Sequence, residues 1–422
     1  MIAADTVLTG IGELATMAVG PLPRTGAAMS ELGLVDDAAL ALRGGTIAWV
    51  GPERRLARAV RLPGRRAVTD LEGATVLPGF VDAHTHALFA GSRADEIGWK
   101  LGGASYGEIA ARGGGLYSTV RATRRASRER LLLEAGARLR RMLRWGTTTA
   151  EVKSGYALTV PGEERLLDLV PTLQARSGLH LVPTYLAAHA VPPEMTGRAD
   201  AYIDRVIADG LPRIARRGLA RFCDVFCEPG FFDVAQSERL LRAAMALGLG
   251  AKIHADEFAA SGGTALAARL PARSAEHLLA APPGELRALA DHGVSGVLLP
   301  VTPFAALSPR SSPGRALVDA GVAVALGSDL SPNSWVEGMP LVLSHAVYGA
   351  RLTPPEALTA ATVNAAWAIG EEGRAGQISV GRTADLVVFD VPRAVEVPYR
   401  FGAVPAQVYR QGKPVLSRGS RT

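Results

Sequence analysis

The feature that most constrains the fold is an alternation beginning near Thr75, where short β-branched runs bounded by turn residues are separated by stretches with helical apolar spacing. Strands that recur in one direction, each followed by an amphipathic helix, satisfy their backbone hydrogen bonds in a parallel sheet covered by those helices. Eight strand candidates can be read: Thr75–Ala83, Thr147–Val152, His180–Leu186, Phe222–Cys227, Gly250–Ile253, Ser274–Leu278, Ser295–Leu299 and Ala323–Leu326. Between them lie helical patterns over Glu129–Trp145, Glu163–Arg176, Ala199–Arg217, Ser237–Leu247, Pro283–His292 and Gly314–Ala320. The predicted fold class is α/β, a closed (β/α)8 barrel, which takes about 250 residues. The flanks read differently. Leu40–Val50, with its Gly44-Gly45 turn, and Thr383–Phe389 followed by Val404–Val415 have the look of hairpin strands. Both chain ends are therefore expected to meet in a small β-sandwich domain, with residues 1–74 and 371–422 flanking a barrel over 75–370.

Composition narrows the function. The 422 residues are 48% hydrophobic, enough for a large core. The apolar stretch near the N-terminus has no basic region before it and is interrupted by Glu13, so neither a secretion signal nor a membrane span is expected. Cys223 and Cys227 are too few for a disulfide framework, which points to a reducing, cytoplasmic compartment; on one face of a strand they read as small buried residues. The formal charge of +6 comes mostly from arginine, since Lys100, Lys153, Lys252 and Lys413 are the lysines. In the densest basic segment, Arg138, Arg141 and Arg144 alternate with apolar positions, the pattern of a solvated helix face and not of a nucleic-acid surface. The Gly113-Gly114-Gly115 run lacks the Lys-Ser/Thr of a phosphate loop and reads as a loop.

The chemistry sits at strand ends. Asp82-Ala83-His84-Thr85-His86 closes the first strand, and side chains two apart share a face. His189, His254, His277 and Asp329 fall at the ends of the third, fifth, sixth and eighth, so five of the chain's eight histidines occupy the rim where barrel enzymes place their chemistry. His84, His86, His254 and Asp329 supply three nitrogens and a carboxylate, a set suited to one Zn2+ or Fe2+/Fe3+ with a position left for water. His180, His292 and His345 lie away from the rim and read as packing or surface residues.

Val76-Leu77-Pro78-Gly79-Phe80-Val81-Asp82-Ala83-His84-Thr85-His86, together with Gly381-Arg382-Thr383-Ala384-Asp385-Leu386, resembles the amidohydrolase superfamily. Leu88-Phe89-Ala90-Gly91-Ser92-Arg93, Ser105-Tyr106, Glu151-Val152-Lys153-Ser154-Gly155-Tyr156, Ala188-His189-Ala190-Val191-Pro192-Pro193-Glu194, Asp224-Val225-Phe226-Cys227-Glu228, His254-Ala255-Asp256-Glu257 and Ser274-Ala275-Glu276-His277-Leu278 resemble the imidazolonepropionase family of histidine degradation. That resemblance implies a hydrolase that opens 4-imidazolone-5-propionate to N-formimidoyl-L-glutamate. It also implies a substrate pocket made by Arg93, Tyr106, Tyr156, His189 and Glu257. Arg93 follows the ligand strand by only seven residues and suits a propionate. One segment departs from the family: Ser331-Pro332-Asn333-Ser334 stands where Asn-Pro-Gly-Ser is usual, which leaves the contacts of Ser331, Asn333 and Ser334 to substrate open.

The expected division of labour has His277 stabilising the oxyanion and either Glu257 or Asp329 carrying the proton. Lys153 follows the second strand, whereas the metal-bridging carbamylated lysine of some relatives ends the fourth, so it is expected to be structural or pocket-lining and the site to hold one ion. The expected partner is a small molecule, with no nucleic acid or membrane and a homodimer among the open assembly states. The alternative is a purine or pyrimidine aminohydrolase using the same four ligands. A non-enzymatic scaffold would have no reason to keep all four.

Overall fold

The structure, a computed structural model, describes residues 1–61, 64, 67–104 and 106–416. Eight parallel strands lie side by side in chain order: Phe80–Asp82, Thr147–Lys153, His180–Ala188, Phe222–Cys227, Gly250–Ala255, Ser274–His277, Ser295–Leu298 and Val324–Leu326. The first and last are tied by Ala83 N donating to Leu326 O (3.1 Å) and Asp329 N to His84 O (3.0 Å), with a bridge between Thr85 and Leu330, so the sheet closes into the expected barrel. Gly327 permits that closure. A Cβ there would stand 2.7 Å from His84 Cβ and 2.9 Å from His84 N, a distance no side chain tolerates.

The barrel interior is layered. At the N-terminal ends of the strands Val81, Val182, Phe222, Val297 and Ala325 form an apolar plug, covered by Ala365 and Ala366 of the helix Val363–Ala368. Polar side chains take over above it and lead to the rim.

The second unit is a seven-stranded mixed sheet in the order Lys413–Leu416, Gln407–Arg410, Leu386–Phe389, Val68–Pro78, Thr6–Ala15, Leu34–Arg43 and Thr46–Pro52. One face packs around Leu8, Ile11, Leu40, Val76 and Val388, and the other buries Val7, Ala39 and Ala41 beneath Leu56 and Val60, so both chain ends do build one small β unit. The N-terminal apolar stretch is thus a sheet strand, in which Glu13 pairs with Thr75 and accepts from Ala394 N (2.6 Å). Among the described residues no helix is long and apolar enough to cross a membrane.

Three expectations are corrected. The strand read over Thr75–Ala83 is two strands broken at Gly79: Thr75–Pro78 pairs with Leu386–Phe389 in the small sheet, and Phe80–Asp82 enters the barrel. The helix read over Glu163–Arg176 divides into Val160–Leu167 and Val170–Ser177, because Pro171 has no N–H to donate to Leu167. Arg138 is not on a solvated face. It is 1% exposed, its guanidinium lies 3.7 Å from the Phe89 ring centroid, and it donates to Ala87 O (2.7 Å) and Phe89 O (2.6 Å). The helix Arg128–Arg144 thereby pins the loop that follows the first barrel strand.

Candidate active site

His84 and His86 lie just beyond the first barrel strand, His254 within the fifth and Asp329 just beyond the eighth. His86 Nε2 is 3.1 Å from His84 Nε2 and 3.3 Å from His254 Nε2, and Asp329 Oδ1 is 3.5 Å from Nε2 of both His84 and His86. Neutral imidazoles cannot satisfy one another in such a cluster, because each offers one donor at most. The spacing instead matches the edge of a tetrahedron of donors around one ion, about 3.3 Å for bonds of about 2.0–2.1 Å. The four residues therefore fit a metal ion.

The outer nitrogens are fixed by carboxylates. His254 Nδ1 donates to Asp224 Oδ2 (3.0 Å), and His84 Nδ1 lies 2.5 Å from Glu276 Oε2. Both Nε2 atoms are left as acceptors aimed at the centre, and a carboxylate behind an imidazole raises its basicity as a ligand. Burial first, then neighbouring positive groups, push His84 and His86 well below the ordinary histidine value, so both are neutral. His277 also clusters with His84 and His254, and its backbone is left-handed (φ 69°) at the point where the sixth strand ends.

Beneath these four residues lies a charged layer of which sequence reading assigned only Lys153, as structural or pocket-lining. Lys153 Nζ is 2.9 Å from Glu151, 2.7 Å from Asp224 and 3.0 Å from Glu276, while Lys252 Nζ is 2.8 Å from both Glu151 and Glu276. All five side chains are fully buried. Burial alone would lower Lys153, but Asp224, Glu151 and Glu276 hold it above its usual value. Burial would likewise raise Glu276, yet Lys153 and Lys252 hold it below the carboxylate range. Lys153 is thus a strut of the barrel interior. The signal was present in the two-residue spacing of Glu151 with Lys153 and of Lys252 with His254, which puts each pair on the inward face.

A cavity of about 290 Å³ opens above the ligands. His86, His254, His277 and Asp329 line it together with Arg93, Tyr156, His189, Glu257, Ser331 and Asn333, so the structure brings most of the expected site residues to one place. His189 Nδ1 is 3.0 Å from Gly155 O and its ring stacks on His86 at 5.0 Å; burial lowers it to about 3. Tyr156 packs 5.2 Å from His189, in a loop held by Glu163, which accepts from the backbone N–H of Gly155, Ala157 and Leu158. Glu257 Oε2 lies 3.6 Å from His277 Nε2, and Glu228 fixes its loop by accepting from Glu257 N (2.9 Å) and Ala259 N (2.8 Å). Burial, then the Asp329 and Glu228 charges, raise Glu257 well above the carboxylate range. Asp329 is raised to about 6 by burial, against a hydrogen bond from Thr302 Oγ1 to its Oδ2 (2.8 Å).

Some placements differ from expectation. Ser334 is fully buried, and its N–H donates to Ser331 Oγ (3.1 Å) in a tight turn, so Ser331 and Asn333 line the cavity and Ser334 does not. Arg93 has its Nε–Nη2 edge engaged bidentately by Glu96 at 2.8–3.0 Å, and Glu96 in turn accepts from Gly115 N. Tyr106 opens the helix Tyr106–Ala111, and its side chain lies outside the described residues. Cys223 and Cys227 are buried free thiols; burial raises Cys227 to about 11. His180 pairs with Glu371 (3.1 Å), and His292 and His345 each contact a carbonyl of their own helix, away from the rim.

Comparison with known proteins agrees with this geometry. Residues 128–416 match the family described as "Amidohydrolase family". The chain is 46% identical to the imidazolonepropionase of Symbiobacterium thermophilum, over 98% of each protein. It is 45% identical to that of Geobacillus kaustophilus, over 93% of each. Among solved structures, a zinc-bound adenosine deaminase from Xanthomonas campestris superposes with a TM-score of 0.69 at 21% identity, covering 99% of this chain and 94% of that one. A 5-methylcytosine deaminase from Klebsiella pneumoniae gives 0.73 at 16%, covering 99% and 98%. At those identities the structures speak for the fold alone. The near full-length sequence relatives go further, and this chain belongs to the amidohydrolase superfamily as a member of its imidazolonepropionase family.

Proposed function

We propose that the cavity hydrolyses the cyclic amide of 4-imidazolone-5-propionate to give N-formimidoyl-L-glutamate. The observation that carries this reading is that one cavity joins His86, His254 and Asp329 of the donor set to two cationic side chains, Arg93 and Lys100, as a substrate with a hydrolysable ring and a carboxylate requires. His84, His86, His254 and Asp329 are assigned as ligands of a single Zn2+ or iron ion per subunit. A bound divalent ion supplies Lewis acidity and lowers the pKa of water towards about 7. A second ion is disfavoured because Glu151, Asp224 and Glu276 are already engaged by Lys153 and Lys252.

The chain's own residues do the rest. Attack of water on the ring carbonyl places negative charge on its oxygen, which the N–H of His277 meets, and such a donor is worth about 10²–10³ in rate. Asp329, with Oδ2 held by Thr302, offers Oδ1 to the proton of the attacking water. Glu257, whose protonated form is favoured by burial and by the Asp329 and Glu228 charges, hands a proton to the departing ring nitrogen beside His277. Tyr156, His189, Ser331 and Asn333 hold the ring and the side chain in place, and Tyr106 is assigned to the same pocket. The C–N bond breaks, the carbonyl carbon becomes the new carboxylate, and the formimidoyl group, carrying the released nitrogen, stays on the nitrogen that becomes the glutamate amine. A cytoplasmic location and a homodimeric assembly are part of the same reading.

The test is incubation of metal-replete protein with fresh 4-imidazolone-5-propionate, following loss of ultraviolet absorbance and appearance of N-formimidoyl-L-glutamate. Absence of turnover, with ammonia released from an aminopurine or aminopyrimidine instead, would replace this reading by the deaminase one.

A further inference from the structure

Three groups around the cavity carry full charge away from the metal ligands: Arg93, Glu96 and Lys100. Arg93 and Glu96 cancel each other, with three contacts at 2.8–3.0 Å along one edge of the guanidinium. Lys100 makes no ion-pair contact with Glu96, although each feels the other's charge. It lies near the end of the helix Glu96–Leu101, is half-buried, and lines the cavity. Among the described residues its ammonium meets Asn333 Oδ1 at 2.7 Å and contacts no carboxylate. Two cations face one carboxylate here, so this part of the cavity wall is left with positive charge in excess.

Asn333 lies in the turn Ser331-Pro332-Asn333-Ser334. The turn carrying it is rigid, with Ser331 N donating to Ser334 O (3.0 Å) and Ser334 N to Ser331 Oγ (3.1 Å). Its amide oxygen therefore holds the Lys100 ammonium without neutralising it. A carboxylate in its place would have cancelled the charge, and glycine would have left a four-carbon side chain free to swing into solvent.

We propose that Lys100, positioned by Asn333, is the cation that recognises the substrate's side-chain carboxylate, while Arg93 chiefly clamps Glu96 and contributes only its remaining Nη N–H groups. This rests on the hydrolase reading above and deepens it: specificity for an acidic side chain comes from the unpaired charge rather than from the arginine fork. Burial, then the Arg93 charge, lower the Lys100 pKa against a smaller opposing effect of Glu96.

The experiment compares 4-imidazolone-5-propionate with its neutral propionamide in wild type, Lys100→Met and Asn333→Asp. Wild type must first turn over the acid; if it does not, the hydrolase reading fails before the present one is reached. Given that activity, Lys100→Met should lose about 10- to 100-fold in kcat/KM on the acid, mostly through KM, and less than about threefold on the amide. Asn333→Asp puts a carboxylate on Lys100 and should raise KM for the acid more than for the amide, so it serves if Lys100→Met fails to fold. Equal losses on acid and amide, or no loss on either, in a variant with unchanged metal content and melting temperature, overturn the proposal.

Discussion

Glu96 decides what Arg93 can do. With its carboxylate on the Nε–Nη2 edge, the guanidinium is oriented but no longer offers a free fork, so removing Arg93 does two things at once. It deletes the remaining Nη contacts, and it strands a 4%-exposed carboxylate beside the cavity, where it repels an anionic substrate. Arg93→Ala should therefore reduce kcat/KM on the propionate by about two orders of magnitude or more with metal content unchanged. Adding Glu96→Gln should restore about tenfold, because the stranded charge is gone. A double variant as poor as the single one would mean that Arg93 acts through direct contact alone. The two cysteines make the opposite case. Both are buried in the main apolar cluster and neither lines the cavity, so Cys223→Ala with Cys227→Ala should keep activity and metal content within about twofold. Loss of the ion from a folded double variant would show that the thiols had been misassigned.

At the scale of elements, the rim depends on how helices and loops hold the strand ends. The guanidinium of Arg138 supplies donors to two carbonyls of the loop that follows the histidine pair, and no other part of the helix Arg128–Arg144 can replace them. Arg138→Met keeps the aliphatic volume but leaves Ala87 O and Phe89 O without those donors, at a cost of about 2–4 kcal/mol. Urea unfolding should show the loss as a lower midpoint with unchanged slope, and KM should rise as the loop carrying Arg93 loosens. An unchanged midpoint would return Arg138 to the solvated face on which its sequence pattern places it. That pattern could not reveal the burial, since periodicity gives the face a residue lies on and not what covers it. Strands were easier to read, because β-branched runs between glycines mark them whatever they pack against. Their division between two sheets falls at Pro78-Gly79, a turn signal inside Thr75–Ala83 that reading the segment as one strand passed over. That His84, His86 and His254 gather at one end of the barrel was legible from strand-end position. Glu276 was not, because a regular strand would point Glu276 and His277 to opposite faces. The left-handed backbone at His277 brings both to the site, with Glu276 behind His84 and His277 over the cavity.

For the whole molecule, the assigned ligands come from the first, fifth and eighth strands, so one ion would tie the closing seam of the barrel to its far side. The imidazole nitrogens lie 3.1–3.3 Å from one another, and burial, then the Lys153 charge beneath them, oppose protonation of His84. Removing an ion from such a set would leave uncompensated acceptors in the interior, so binding of the ion should register as global stability and not only as activity. At free metal a thousandfold above Kd the linkage is worth about 4 kcal/mol. By the scaling of unfolding entropy with length, a chain of this size gains roughly 1 °C per kcal/mol, so chelation should lower the melting temperature by about 4–5 °C and added Zn2+ should restore it. His254→Ala supplies the control. With one nitrogen gone it should retain little metal by elemental analysis, show no turnover, and melt at the same temperature with and without chelator. Should chelation strip wild type of its ion with no shift in melting, the four ligands would be holding a metal that contributes nothing to barrel closure. A full equivalent of metal in active His254→Ala would instead remove His254 from the ligand set.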